Sequence, residues 1–329
     1  MTRREFLGGS ALAATGLTMT KAAAATGSKP LSEYAKGPLG KIVGELPPGR
    51  YDAHIHVFNR EGAFDPKPEE FWAEMQERGM SGGCLFSYDP NPDVWGKPSK
   101  LTPEEAMDNC IAWCSASPTL YPFYRIDPGA PDALELVDRA LEKGFYGFKV
   151  IYNRGLPCNE RTMSVYRKIA AAKKPLTFHT GILYDGLASS QYFRPVCFEP
   201  LLEVPGLRFA MAHVSWPWHD ECLAFYGKIR HAALPRMRNG KVPTLYLDTT
   251  PGPPRIYRRE VLEKTYTIGH NVTDRVMFGH DRGVSHYDPP GKVTAQMRLD
   301  DGILTELGLG PAVLDSYYRL ALQHYLFGD

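Results

Sequence analysis

The feature that most constrains the fold of this chain is a repeated alternation of short β-rich runs with stretches of helical character. A parallel strand can return to the same edge of a sheet only through a long crossover connection, which is usually a helix. The alternation therefore predicts a parallel α/β fold. Eight strands are predicted, at Tyr51–Val57, Gly83–Tyr88, Tyr121–Ile126, Gly147–Tyr152, Leu176–Thr180, Arg208–Val214, Thr244–Asp248 and Val276–Gly279.

Helices are predicted between most of these strands, and two of them start with clear capping signals. Thr102 precedes Pro103 and Glu105, and Asn159 precedes Glu160, which are favourable residues for a helix N-terminus. The predicted helices are Pro68–Arg78, Pro103–Ser115, Pro131–Lys143, Glu160–Lys173, Asp220–Ala233, Arg258–Tyr266 and Ala312–Phe327.

Eight strands alternating with helices predict an α/β fold of the (β/α)8 TIM-barrel class, built as a single domain after an N-terminal segment. The chain has 329 residues, and a barrel of this class typically takes about 250. The alternative is a doubly wound open sheet. It is disfavoured because no Gly-x-Gly-x-x-Gly fingerprint follows the first predicted strand.

The first 25 residues have the pattern of a twin-arginine signal peptide. Arg3 and Arg4 precede the weakly apolar stretch Leu7–Met19, and the small residues Ala22–Ala25 follow it. The apolar stretch is too short and too polar for a spanning helix, so no stable membrane span is expected. We therefore expect the twin-arginine export machinery as a partner and a periplasmic or secreted protein. Residues 26–49 are predicted to form a linker or arm, and residues 50–329 the barrel domain.

The charge balance of the chain argues against a polyanionic partner. Lys and Arg total 38 and Asp and Glu total 37, for a formal net charge of +1, so no nucleic-acid partner is expected. The six cysteines show no metal-binding spacing and are predicted to be buried residues without a catalytic role. Neither a disulfide pairing nor the oligomeric state follows from the sequence, which is compatible with a homo-oligomer.

Chemically active residues occur at the ends of several predicted strands, where the active sites of barrels lie. Because strand residues alternate between two faces, His54 and His56 should share the inner face, whereas Ala53, Ile55 and Val57 should pack against helices. The same alternation is expected to direct three further residues inward, which are His179, His213 and Asp281, and the fourth predicted strand carries Lys149.

Neutral imidazoles together with one carboxylate at a single mouth are typical of a site for Zn²⁺, with Mn²⁺ or another divalent ion as an alternative. An ion held with an open coordination position lowers the pKa of bound water to about 7. In such a site Asp281 could act as both ligand and proton acceptor. His213 could polarise the substrate or act as a general acid or base.

Five short segments around these residues resemble, in order, the strand motifs of a known enzyme family. The segments are Asp-Ala-His-Ile-His, Gly-Phe-Lys-Val, Phe-His-Thr-Gly, Ala-His-Val-Ser-Trp and Met-Phe-Gly-His-Asp-Arg. They are similar to the strand 1, 4, 5, 6 and 8 motifs of the amidohydrolase superfamily, in its amidohydrolase-related (amidohydrolase 2) group. The resemblance extends from about Tyr51 to Phe327. It implies His213 as a catalytic partner or second-metal ligand, and as metal ligands it implies His54, His56, His179 and Asp281.

The chain departs from the pattern of this group at strand 8. The motif there usually reads Gly-Ser-Asp, whereas this chain has His280 before Asp281. By alternation His280 is expected to face away from the metal. Lys149 matches a position that some superfamily members carboxylate to bridge two metals. In this group the lysine is often unmodified, so we predict one bound ion rather than two. If Lys149 is not part of the metal site, it is predicted to be a structural ion-pair partner of a carboxylate.

Arginine and tryptophan residues near the predicted mouth are candidates for substrate binding. Arginines close to a metal would suit a carboxylate or phosphate on a small-molecule substrate, and an aromatic ring could stack on it. The candidates are Arg125, Arg154, Trp216 and Arg282.

Three functions are compatible with this set of residues. The favoured one is a metal-dependent hydrolase, in which metal-activated water attacks an amide, ester or lactone carbonyl. The second is a non-oxidative, metal-dependent decarboxylase, since decarboxylating members of the same group use the same ligands. The third is a non-catalytic binding barrel, which the presence of every expected polar residue disfavours. The identity of the substrate does not follow from the sequence.

Overall fold

The computed structural model describes residues 29–57, 67–88, 101–251, 253–288 and 291–328. The predicted signal peptide at residues 1–25 lies outside the described residues. Within the described part of the chain, no helix is long and apolar enough to cross a membrane.

The strands form one parallel sheet in chain order, as the alternation predicts. The two edges meet around the eighth strand, which is split into two short pieces. The first piece, Val276–Met277, pairs with the seventh strand, and the second piece, Arg282–Gly283, pairs with the first strand. Backbone bonds from Ala53 N to Phe278 O and from Asp281 N to His54 O, both 2.9 Å, join the strand between these pieces to the first strand. The strands are β1 Arg50–His56, β2 Met80–Phe86, β3 Leu120–Arg125, β4 Gly147–Val150, β5 Leu176–Phe178, β6 Arg208–Met211, β7 Thr244–Asp248, β8 Val276–Met277 and β9 Arg282–Gly283. The predicted TIM-barrel fold is confirmed.

Helices follow most strands, and the two predicted N-termini are correct. Thr102 and Asn159 each form a capping box with the residue three positions later, which satisfies backbone N–H groups that would otherwise lack partners. The helices are α1 Pro68–Glu77, α2 Pro103–Cys114, α3 Ala133–Glu142, α4 Glu160–Ala171, α5 His219–Ala232, α6 Arg258–Thr267, α7 Lys292–Glu306, α8 Pro311–Asp315 and α9 Ala321–Phe327. A π-helical turn, Ser316–Leu320, joins α8 to α9, and α7 was not predicted.

The core has two layers, and both contribute to the position of the site. Outward-facing strand residues such as Leu85, Phe148 and Leu247 pack against the helices. Inward-facing residues pack with Tyr325 of α9 inside the barrel, where the Tyr325 hydroxyl lies 2.7 Å from Thr177 Oγ1. The interior therefore contains a packed apolar layer, and the polar residues at the carboxyl ends of the strands lie beyond it.

Candidate metal centre

The histidines of β1 point inward together because the strand contains an irregularity. Tyr51 and Ala53 pack in the inner layer, whereas Ile55 packs in the outer layer. The register with β2 shifts between Asp52 and Ile55, as a β-bulge would produce. The prediction that Ala53 packs against helices is therefore wrong. One extra residue lets Ala53 and His54 both face inward.

Three potential ligand atoms converge at the mouth of the barrel. His54 Nε2 lies 3.2 Å from His56 Nε2, and Asp281 Oδ1 lies 3.5 Å from the first and 2.9 Å from the second. An ion with tetrahedral ligands at about 2.0–2.1 Å would hold them about 3.3 Å apart. The spacing and the donor types both fit a divalent ion, and this His-His-Asp group could hold one.

The segment between β8 and β9 brings Asp281 against β1. Asp281 has a positive φ of 59°, a left-handed conformation that aspartate tolerates better than most residues. Gly279 precedes it where the backbones approach closely. A Cβ atom at Gly279 would lie 2.7 Å from Asp248 Oδ1 and 3.0 Å from the Cβ of His54, so the packing of this site requires glycine.

A buried carboxylate that sequence reasoning missed orients His54. Asp248, the last residue of β7, places Oδ2 2.6 Å from His54 Nδ1. Its Oδ1 accepts a hydrogen bond from Thr250 N at 3.0 Å. With Nδ1–H donating to Asp248, the Nε2 lone pair of His54 faces the other ligands. Burial raises the pKa of Asp248 to about 6. The position of Asp248 at a strand end was the available signal, since β7 was predicted with these bounds.

Lys149 lies inside the site, as its strand position predicts. Its Nζ is 3.2 Å from His54 Nε2 and 4.9 Å from the centre of the Phe86 ring. Burial lowers the pKa of Lys149 to about 7, although Asp248 and Asp281 oppose this shift. Among the described residues, Lys149 therefore contacts His54 directly, whereas Asp248 and Asp281 act on it electrostatically.

His179 and His213 form a second pair across the mouth. His213 Nε2 lies 3.2 Å from His179 Nδ1, and Thr250 Oγ1 lies 2.9 Å from His213 Nδ1. The Nε2 atom of His179 is buried and has no hydrogen-bond partner among the described residues. An orphaned buried nitrogen at this position is what an absent cation would leave. His179 does not belong to the tight group of three ligand atoms.

A left-handed turn, and not strand alternation, brings His213 into the site. The predicted strand to Val214 ends at Met211, and Phe209 and Met211 both face the helices. Alternation would have sent His213 the same way. Instead His213, Val214 and Ser215 have φ values of 61°, 41° and 59°. Consecutive positive φ values in residues other than glycine are strained and concentrate at functional sites.

Electrostatics prepare these groups for binding a cation. Burial lowers the pKa of His54 and His179 well below the usual range of histidine and lowers the pKa of His213 to about 4, so all three are neutral at pH 7. Burial alone would raise the pKa of Asp281. The hydrogen bond from His56 and the nearby His54 hold that pKa well below the usual range of aspartate. Neutral imidazoles and an ionised carboxylate are the forms that bind metal.

A cavity of about 340 Å³ opens beside the candidate centre. Trp216, a sequence candidate for substrate binding, lines it together with His179, His213 and Asp281. The other described lining residues are mainly apolar, and they are Ile182, Leu183, Tyr184, Pro251 and Pro254. The cavity thus combines polar groups with an apolar surface.

The three predicted substrate arginines are in different environments. Arg125 ends β3, is buried and acts electrostatically on both His56 and Lys149. Arg154 instead forms an ion pair with Asp127 on the surface. Arg282 lines a separate cavity with His280. The structure therefore brings Arg125 to the candidate metal centre and does not bring Arg154 or Arg282 there.

His280 and Asp52 support the site from behind. His280 is buried and lines a cavity that Asp281 does not line, as expected for a residue that faces away from the ligands. Asp52 Oδ1 accepts hydrogen bonds from the backbone N–H groups of His54 at 2.9 Å and His280 at 3.1 Å. One carboxylate thus joins the two segments that carry His54 and Asp281.

Comparison with known proteins shows a shared fold at low sequence identity. No protein-family model and no curated protein matches the chain. An amidohydrolase structure from Burkholderia multivorans has a TM-score of 0.56 at 12% identity, covering 84% of this chain and 99% of that chain. A structure of 5-carboxyvanillate decarboxylase from Novosphingobium aromaticivorans, with bound manganese, has a TM-score of 0.54 at 14% identity. The match covers 89% of this chain and 99% of that chain. A structure described as a probable 2-pyrone-4,6-dicarboxylic acid hydrolase from Acinetobacter baumannii has a TM-score of 0.54 at 11% identity. The match covers 85% of this chain and 99% of that chain.

Proposed function

We propose that this chain is a metal-dependent hydrolase of the amidohydrolase superfamily, acting on an amide, ester or lactone carbonyl of a small molecule. The observation that carries the proposal is the convergence of His54, His56 and Asp281, whose ligand atoms lie within 4.8 Å of one another at the mouth of the barrel. The barrel shared with a solved amidohydrolase and with a solved probable 2-pyrone-4,6-dicarboxylic acid hydrolase supports it. So does the chemistry of the donor set.

The proposed cofactor is one divalent ion, Zn²⁺ or alternatively Mn²⁺. His54, His56 and Asp281 would hold it, and His179 would complete the set through its orphaned Nε2. When bound, such an ion polarises the substrate carbonyl and makes water a nucleophile near neutral pH. Asp248 keeps the Nε2 of His54 available by accepting the proton of Nδ1.

Asp281 and His213 are the proposed proton-handling residues. Both line the cavity that a substrate would enter, and the side chain of Asp281 is 35% exposed. An ionised carboxylate at the cavity edge can accept a proton and pass it to a leaving group. Neutral His213 is held by Thr250 on Nδ1. Its Nε2, which lies 3.2 Å from His179 Nδ1, would leave that contact and donate its proton in a hydrogen bond to the carbonyl oxygen that gains charge during the reaction.

The cavity also defines the class of substrate that we propose. Its wall of Trp216, Ile182 and Leu183 suits a small molecule with an apolar or aromatic portion. Arg125, buried near His56 and Lys149, would favour an anionic group on that molecule. Arg154 does not enter this proposal because it pairs with Asp127.

A decarboxylase is the second candidate, and the manganese-containing 5-carboxyvanillate decarboxylase of the same fold favours it. The two reactions differ in their products. Incubation with a panel of lactones, amides, esters and aromatic carboxylates, followed by mass spectrometry and carbon dioxide detection, separates them. Release of carbon dioxide without uptake of water would replace the hydrolase proposal with the lyase.

The metal centre is tested by elemental analysis of the purified chain. We expect about one ion per chain in the wild type and almost none in His54→Ala or Asp281→Ala. His231→Ala is the matched control, since His231 is exposed and lies in α5, and it should keep the ion. No bound ion after reconstitution with Zn²⁺ or Mn²⁺ would refute the proposal. Two ions would point to a carboxylated Lys149.

We also propose that the protein is exported through the twin-arginine pathway. The pair Arg3 and Arg4 supports this proposal. Fractionation of cells that express the wild type or an Arg3→Lys, Arg4→Lys double variant tests it. The wild type should reach the periplasm or medium, and the variant should stay inside the cell.

A further inference from the structure

A second cavity, of about 210 Å³, lies on the opposite side of the β8–β9 segment from the metal centre. Asp281 lines the metal-side cavity, whereas its chain neighbours His280 and Arg282 line this one. None of the candidate metal ligands lines the second cavity. The two cavities share only Pro251 among their described lining residues. They are therefore separate sites on the same face of the barrel.

The second cavity carries an excess of positive charge. Arg255, Arg282 and Lys292 line it, and no described residue forms an ion pair with any of them. Arg258 also lines it, but Asp300 neutralises that guanidinium through contacts of 2.8 and 2.7 Å. The described lining contains no carboxylate. Three cations around one small cavity repel one another unless an anion joins them.

Buried polar groups in the same wall also lack partners. His280 is only 2% exposed, and its Nδ1 atom has no hydrogen-bond partner among the described residues. The Nε of Arg282 is buried and also has none. A buried polar atom without a partner costs free energy that a bound ligand would recover. The orphaned Nδ1 of His280 is a second observation, independent of the three cations, that points to a missing ligand.

The rest of the wall indicates an organic anion and not an inorganic one. Ala295 and Leu299 on α7, together with Pro251 and Pro253, provide apolar surface in the same lining as the cations. The first turn of α7 begins at Lys292, and the N-terminus of a helix favours negative charge. A carboxylate attached to an apolar skeleton fits both the cationic and the apolar lining residues, because guanidinium groups bind carboxylates through paired hydrogen bonds and the skeleton can pack against the apolar side chains.

We propose that this cavity, formed by His280, Arg282, Arg255, Lys292 and the first turn of α7, is a binding site for a small organic carboxylate. The site is distinct from the metal centre and does not depend on the reaction catalysed there. Its ligand is anchored by Arg282 and Arg255, while the carbon skeleton packs against Leu299 and the prolines.

The test is calorimetric titration of the full chain with benzoate, which joins a carboxylate to an apolar ring. Benzoate should bind, and uncharged benzamide should bind at least about tenfold more weakly, since hydrogen bonds in which donor and acceptor are both charged are stronger than those to a neutral amide. Arg282→Met should weaken benzoate by at least about tenfold. Arg259→Met is the matched control, because Arg259 lies on the same helix as Arg258 but pairs with Glu306 on the surface, and it should bind like the wild type.

Further variants separate this site from the metal centre. In His54→Ala, treated with chelator, benzoate should bind as in the wild type, and loss of binding would place the ligand at the metal and overturn the proposal. Unchanged affinity in Arg282→Met would also overturn it, as would inorganic phosphate binding as tightly as benzoate. If Arg282→Met does not fold, Arg255→Met replaces it, because Arg255 is exposed and its loss should weaken benzoate in the same direction.

Discussion

The orientation of His54 by Asp248 leads to a prediction that the contacts define closely. Asp248 uses both oxygens, Oδ2 toward His54 Nδ1 at 2.6 Å and Oδ1 toward Thr250 N at 3.0 Å. Asp248→Asn keeps the shape of the side chain but replaces one oxygen with an NH2 group. If the NH2 group faces His54, the proton must move to Nε2, which can then no longer bind an ion. If it faces Thr250, two N–H groups oppose each other.

Either orientation of the amide therefore weakens the metal centre. Loss of such a supporting contact typically costs a factor of about 10–100 in metal affinity, or about 1.4–2.8 kcal/mol. The assay is calorimetric titration of chelator-treated protein with Zn²⁺ and with Mn²⁺. Asp315→Asn is the matched control, because Asp315 pairs with Arg319 on the surface. A Zn²⁺ affinity of Asp248→Asn within twofold of the wild type would refute the reasoning.

Three further outcomes are expected. Thr250→Val removes the hydroxyl that contacts His213, so kcat with an identified substrate should fall by about tenfold or more. The metal content should stay near that of the wild type, and an unchanged kcat would contradict the assigned role of His213. Asp300→Asn leaves the buried Arg258 without its counter-charge and should lower the free energy of unfolding in urea by about 3–5 kcal/mol. Asp301→Asn breaks a half-exposed pair with Arg50 and should lower it by about 1 kcal/mol or less, so equal losses would refute this account. Metal at 100 times its Kd should stabilise the chelator-treated protein by about 2.7 kcal/mol, seen as a rise of several degrees in Tm, and no shift would count against a metal centre.

Helix α7 shows where sequence periodicity was insufficient. Its inward face includes Val293, Met297 and Leu304, but also the buried carboxylate of Asp300. A charged residue at a core position interrupts the apolar pattern from which helices are predicted. The charge is acceptable because Arg258, 42 residues earlier in the chain, pairs with it. Only the tertiary structure brings the two together.

The direction of individual side chains depended on local backbone geometry. Alternation correctly placed His54 and His56 on one face, where both belong to the group of potential metal ligands. Alternation failed at Ala53, which a register shift turns inward. Alternation also does not explain the direction of His213, because a left-handed turn replaces the end of the predicted strand. Bulges and left-handed turns leave little trace in a single sequence because residues other than glycine occupy them here.

The sequence by itself determined the class of fold and the residues at the strand ends, because hydrophobic periodicity is a local property and parallel strands must end at the same edge of a barrel. The tertiary structure alone decided which polar residues meet. It joined Asp248 to His54, paired Arg154 with Asp127 and separated Arg282 from the candidate metal centre. These contacts span from 27 to 194 residues of chain, and closure of the barrel brings such distant residues within hydrogen-bonding distance.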